Sequence, residues 1–168
     1  MTQSLYLLRH AKSQPWTPGC DDFSRRLNDR GQSHARDLSL WMRDHLEQPD
    51  LVLCSGSVRT RETLAPILEA WPGLAQATQY TDDIYEATTG SLHGLAAAGF
   101  ERADRLLMVG HNPGFENLAT AVLTGEDANR ITKMPTGTLA VIAFAESYDE
   151  DAGEGSLVHW VTRKSLSD

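Results

Sequence analysis

The chain has 168 residues and a net charge of −8, with 15 Lys and Arg against 23 Asp and Glu. That length holds one core of useful size, and 40% hydrophobic residues exclude wholesale disorder. The acidic balance argues against a non-specific binder of nucleic acid or anionic membranes, because both need a positive field.

The first predicted element is the apolar run Leu5-Tyr6-Leu7-Leu8, which lacks alternation and reads as a buried strand of a parallel sheet. It stops abruptly at Arg9-His10-Ala11-Lys12-Ser13 and is far too short for a signal-peptide core or a membrane span. A loop over 11–28, holding Pro15, Pro18, Gly19 and Asp21-Asp22, leads to a helix over about 29–46. Asn28 or Asp29 can cap that helix, and Ala35, Leu38, Trp41, Met42 and Leu46 form its apolar stripe. Pro49-Asp50 breaks it and opens a second buried strand, Leu51-Val52-Leu53-Cys54.

Ser55-Gly56-Ser57 is a tight turn, with Ser57 the expected cap of a helix to about Trp71 that Pro66 should kink. A short strand at 78–81 and the loop Asp82-Asp83-Ile84-Tyr85-Glu86 follow, then a weak helix over 91–98. Arg105-Leu106-Leu107-Met108-Val109 is the third strong strand and ends in Gly110-His111-Asn112-Pro113-Gly114. Asn112 as cap with Pro113 at the first helical position should open a helix to about Leu123. Leu139 to Phe144 and Leu157 to Val161 read as an antiparallel hairpin at a sheet edge, joined by the acidic turn from Glu146 to Glu154. The expected fold is a single domain over 1–168: an α/β three-layer sandwich, mainly parallel, with helices on both faces and an antiparallel edge.

Three strong strands thus end in chemistry: Arg9-His10, then Ser55-Gly56-Ser57-Val58-Arg59, then Gly110-His111-Asn112. In a parallel sheet these ends share one rim, where ligands collect. Two guanidiniums there can hold phosphoryl oxygens in bidentate fashion, and an imidazole can attack phosphorus to give a phosphohistidine intermediate. The arginines supply charge that magnesium supplies elsewhere, so no metal and no cofactor is expected. Neither the phosphate-binding loop of nucleotide triphosphatases nor a Gly-x-Gly-x-x-Gly turn is present.

Leu8-Arg9-His10-Ala11 is similar to the Arg-His-Gly/Ala signature of the histidine phosphatase (phosphoglycerate mutase-like) superfamily. Arg59, in Ser55-Gly56-Ser57-Val58-Arg59-Thr60-Arg61-Glu62-Thr63, resembles that family's Ser-Pro-x-x-Arg-x-x-x-Thr segment, and Gly110-His111-Asn112-Pro113-Gly114 resembles its second-histidine motif. The likeness runs from residue 5 to about 125. The short chain, the run Arg25-Arg26-Leu27-Asn28-Asp29-Arg30-Gly31 and the His-Asn-Pro-Gly form most resemble the small phosphohistidine phosphatases of the SixA type.

The resemblance implies that His10 is the nucleophile and that Arg9, Arg59 and His111 bind the phosphoryl oxygens. It implies that Arg25 is a further phosphate contact and that a carboxylate after the short strand is the general acid, Glu86 first and Asp83 second. Lys12 and Asn112 are the other expected substrate contacts. Gly56 and Arg26 stand where the family usually has proline, and Ala11 where glycine is commoner. An alkoxide leaving group needs an acid; an imidazole, with a reference pKa of about 6.5, needs one far less.

The implied activity is a metal-independent phosphatase acting on a phosphohistidine of a partner signalling or phosphotransfer protein. A phosphatase for small phosphomonoesters and a non-catalytic phosphate-binding module are the alternatives; no nucleic-acid or membrane partner is expected. Cys20 and Cys54 form neither a disulfide framework nor a metal-ligand spacing, so a reducing cytoplasm is expected. His34 and His45 are expected to be solvated on the first helix, His159 to be structural, and His93 to lie near the rim.

Overall fold

The computed structural model describes residues 2–148 and 154–167. Its six strands are β1 (Gln3–Arg9), β2 (Leu51–Ser55), β3 (Thr78–Thr81), β4 (Arg105–Gly110), β5 (Leu139–Phe144) and β6 (Ser156–Val161). They form one sheet in the order β3-β2-β4-β1-β5-β6. The four strands from β3 to β1 run parallel, and β5 and β6 pair antiparallel at the other side. This is the α/β architecture with an antiparallel edge that the strand–helix alternation predicts. The three motif-bearing strands β2, β4 and β1 are therefore direct neighbours at the sheet centre.

The continuous apolar runs follow from burial on both faces. Leu5 and Leu7 pack with Leu106 and Met108 against α3 (Thr89–Phe100) and α4 (Gly114–Val122). Tyr6 and Leu8 pack with Leu107 and Val109 against α1 (Asp29–His45) and α2 (Val58–Ala70). Each fully buried leucine of this kind stabilises the fold by roughly 1.5–3 kcal/mol relative to exposure. The short α5 (Gly125–Arg130) and α6 (Arg163–Leu166) complete the described structure. Among the described residues no helix is long and apolar enough to cross a membrane.

Local chemistry sets the boundaries. Asn28, rather than Asp29, caps α1, its side chain accepting from Gly31 N at 2.8 Å. Thr88 caps α3 through Ser91 N at 3.1 Å, so that helix starts at Thr89 rather than 91. Pro66 lies inside α2, which continues to Ala70. Helix α4 starts at Gly114, later than expected, with Asn112–Pro113 cis and Pro113 in the N-cap position. Asn112 still serves the first turn, its Oδ1 accepting from Glu116 N at 3.2 Å. Two expectations need correction or limiting. His34 is buried, at 4% exposure, because the loop at Gly137 packs against its ring. Part of the acidic turn from Glu146 to Glu154 lies outside the described residues.

Candidate active site

The β1–β4 register ends with Arg9 opposite Gly110, which sets His10 and His111 side by side just past the strand ends. Their ring centroids are 5.4 Å apart. Both are buried, at 7% and 8% exposure, and Arg59 joins them from the first turn of α2 at 5%. Three residues far apart in sequence thus meet on one rim.

Hydrogen bonds assign the His10 tautomer. Its Nδ1 lies 2.7 Å from the Ala11 carbonyl, which can only accept, so Nδ1 carries the proton and Nε2 keeps a lone pair. Arg59 Nε donates to that Nε2 at 3.4 Å. Burial, offset in part by the Ala11 carbonyl and reinforced by His111, Arg59 and Arg9, pushes the His10 pKa down to about 3. Burial and Arg59 likewise push His111 down to about 4. Both imidazoles are neutral at physiological pH.

The supports are equally specific. His111 Nε2 lies 2.8 Å from Ser55 Oγ, at the end of β2. Thr63 ties two of the three motifs together: its hydroxyl accepts from Ala11 N at 3.0 Å and donates to the Arg59 carbonyl at 2.7 Å. Arg9 Nη1 donates to the Met134 carbonyl at 2.8 Å, and Asn112 Nδ2 donates to the same oxygen at 2.9 Å. Glu116 holds Met134 from the other side through its backbone N at 3.0 Å. Asn112 is therefore a brace for the Arg9 anchor.

Asp22 is the residue that sequence reasoning missed. It sits in the 3-10 turn Asp22–Ser24 and pairs with Arg59 Nη2 at 3.1 Å and Arg25 Nη2 at 2.9 Å. It also accepts from the Tyr85 hydroxyl, while its carbonyl accepts from Arg59 Nη1 at 2.7 Å. The Tyr85 hydrogen bond and the two arginines pull the Asp22 pKa down to about 2. Burial and Asp22 push Tyr85 up to about 12. The Tyr85 ring meets His111 edge-on, with centroids 5.3 Å apart. An Asp in an irregular loop carries no periodic signal, and only the nearby Arg25 hinted at it.

The other expected residues divide. Arg25 is in the site through Asp22, and it also contacts Ser13 Oγ at 3.3 Å and the Gln14 carbonyl at 3.1 Å. Its loop is pinned by Glu62, which binds both the Arg26 side chain and Leu27 N. At Gly56 an added Cβ would meet Asp82 Oδ1, the free end of an exposed side chain that would have to shift. Glu86 is exposed, has φ of 54°, and among the described residues has no hydrogen bond to a site residue. Asp83 and Lys12 are also exposed. His93 pairs with the Tyr148 hydroxyl at 2.6 Å; Tyr148 N binds Gln3 at the opposite end of β1, so His93 faces away from the rim. Among the described residues no group of three or more His, Cys, Asp or Glu side chains converges as a metal site.

Among the described residues, two buried polar atoms in the site have no hydrogen-bond partner: Arg9 Nε and His111 Nδ1. Buried polar groups are normally satisfied, so both stand out from the rest of the core. The profile of the histidine phosphatase superfamily (branch 1) matches residues 5–133, spanning all three motifs. The chain belongs to the histidine phosphatase superfamily.

Its relatives agree. An uncharacterized protein of Mycobacterium tuberculosis is 34% identical over 158 residues, covering 90% of this chain and 96% of that one. A crystal structure from Agrobacterium tumefaciens, of a candidate phosphohistidine phosphatase SixA, has a TM-score of 0.83 at 28% identity and covers 95% of this chain and 97% of that one. A second SixA-type structure, from Nakamurella multipartitia, has a TM-score of 0.83 at 25% identity and covers 96% of each. The chain is a phosphatase of the SixA type.

Proposed function

We propose that this phosphatase hydrolyses phosphohistidine on a partner protein, without a metal, through a phosphohistidine intermediate on His10. The observation that carries the reading is the His10 imidazole itself: neutral, its Nδ1–H held by the Ala11 carbonyl, its Nε2 lone pair facing Arg59. Nε2 attacks phosphorus, the bond to the leaving group breaks, and the leaving group departs with the electron pair. Water then attacks the phosphorus and releases His10 and inorganic phosphate. Arg9 and Arg59, with His111, supply donors for the phosphoryl oxygens as charge shifts onto them.

The leaving group decides between substrates. Asp22, with its pKa near 2, is ionised at neutral pH and holds arginines rather than a proton. Tyr85 is protonated, but its hydroxyl is committed to Asp22. Glu86 remains the candidate acid from its place in the chain, yet it stands in solvent. A site with no carboxylic acid held at the reacting centre suits an imidazole leaving group better than an alkoxide. The free Cys20 and the buried free Cys54 fit a reducing compartment such as the cytoplasm.

The test is a panel in which one enzyme preparation meets a phosphohistidine peptide and small phosphomonoesters under identical conditions. A kcat/KM at least tenfold higher for the phosphohistidine peptide supports the proposal. A preference for the phosphomonoesters assigns a small-molecule phosphatase instead. Absence of turnover on both, with phosphate still bound, assigns a binding module.

A further inference from the structure

A second basic hollow lies beside the catalytic pocket and takes no part in the chemistry above. Lys12, two residues beyond His10, stands on one side, Arg30 from the first turn of α1 on another, and Arg163 and Lys164 of α6 close it. The cavity measures about 750 Å³, inside the range of roughly 300–1,000 Å³ typical of small-molecule sites. Among the described residues no carboxylate lines it, and none of the four cations has an ion pair. Asp29 and Asp37 line the adjoining hollow, which shares Arg30, His34 and Arg163.

Two features set this cluster apart from an ordinary solvated face. The protein carries eight excess negative charges, yet four cations with no ion pair among the described residues gather around one concavity, where a low-dielectric wall focuses their field. The cavity is also lined by His34, a 96%-buried imidazole whose Nε2 has no hydrogen-bond partner among the described residues. Burial, with Arg163 beside it, lowers the His34 pKa, so an anion held by these cations would favour its protonation through the field it adds. One orthophosphate does not fill such a volume, and the four cations approach it from three segments, the loop after β1, α1 and α6. A ligand with several linked anionic groups suits both the volume and the spread of charge.

We propose that the cavity formed by Lys12, Arg30, Arg163 and Lys164, with His34 in its lining, is a second anion site that takes a small ligand bearing two or more linked phosphoryl groups. The site is separate from the catalytic pocket, and its existence does not depend on which phosphoryl substrate that pocket hydrolyses.

Inorganic tripolyphosphate is the probe, titrated calorimetrically into the full-length His10→Ala chain at about physiological salt with orthophosphate saturating the catalytic pocket. The expected result is one tripolyphosphate per chain. Arg30→Ala with Lys164→Ala should weaken it at least tenfold, whereas Arg43→Ala with Arg102→Ala, which removes the same charge elsewhere, should change it less than twofold. In the otherwise native enzyme the Arg30/Lys164 pair should leave phosphoester turnover within about twofold. No binding at that salt, equal loss in the two double variants, or displacement of tripolyphosphate by orthophosphate would overturn the proposal. A hexaglutamate peptide binding as tightly and with the same dependence on Arg30 and Lys164 would overturn the ligand class, making the hollow a landing place for an acidic protein segment.

Discussion

At the residue scale, the site rests on one imidazole whose two nitrogens have been given different tasks. His10→Ala should reduce turnover by at least about a thousandfold, as loss of a nucleophile generally does, while binding of inorganic phosphate by calorimetry persists through Arg9 and Arg59. The pH profile separates the His10 assignment from an ordinary surface histidine. As the proposed nucleophile His10 must be neutral, and burial holds its pKa near 3, so activity should stay level as pH falls from 7 to about 5. An acid limb centred near 6.5 would contradict the assignment. The two carboxylates also make opposite forecasts. Asp22→Asn should raise KM and lower kcat/KM roughly tenfold, because Arg59 and Arg25 lose a charged partner. Glu86→Gln should change kcat on a phosphohistidine peptide by less than about threefold, since its carboxylate is exposed. A hundredfold loss at Glu86 would restore it as the proton donor.

At the scale of elements, the site is a junction between the ends of three central strands and the first turn of α2. Thr63 joins them, and Thr63→Val should leave the buried Ala11 N–H without an acceptor at a cost of about 1–3 kcal/mol, read by urea unfolding. The same variant should lower activity more than its stability loss explains, because the Ala11 backbone next to His10 loses its tie to α2. Gly31 makes a comparable junction between α1 and the strand-end loop. Any Cβ there would collide with the Lys12 carbonyl, so Gly31→Ala should destabilise the fold by about 1–3 kcal/mol despite a better helix propensity. The three strand–motif units were legible in the chain because each is a local pattern, an apolar run followed by a polar signature. The Asp22 loop, the Met134–Glu116 brace and α6 were not, since nothing periodic marks them and their roles arise from contacts more than ten residues away.

At the scale of the whole molecule, stability should depend on pH through the buried imidazoles. His10 and His111 have folded-state pKa values of about 3 and 4, below the ordinary value near 6.5. Below pH 6.5 the unfolded chain therefore binds protons that the folded chain refuses. Stability is complete above that pH and falls as the pH drops toward 4, by up to about 1.4 kcal/mol per pH unit for each histidine. Urea unfolding at pH 7, 6 and 5 should show the decline, and saturating orthophosphate should raise the midpoint at every pH. A midpoint that rises on acidification would refute the burial argument.

Residue order by itself determined the three buried strands, their helices and the strand-end positions of Arg9, His10, Arg59 and His111, because apolar runs and strand-end signatures are local; the roles of clamp and nucleophile came from the family resemblance and stand as proposals. It also determined that any anion site must be a local basic pocket in an acidic chain. Tertiary structure decided what local pattern cannot encode: that Arg9 and His111 each retain a buried, unpaired nitrogen, that Asp22 rather than Glu86 is the carboxylate against Arg59, and that His34 is buried rather than solvated. These outcomes depend on contacts between segments distant in the chain, such as Asp22 with Arg59 and Gly137 against His34.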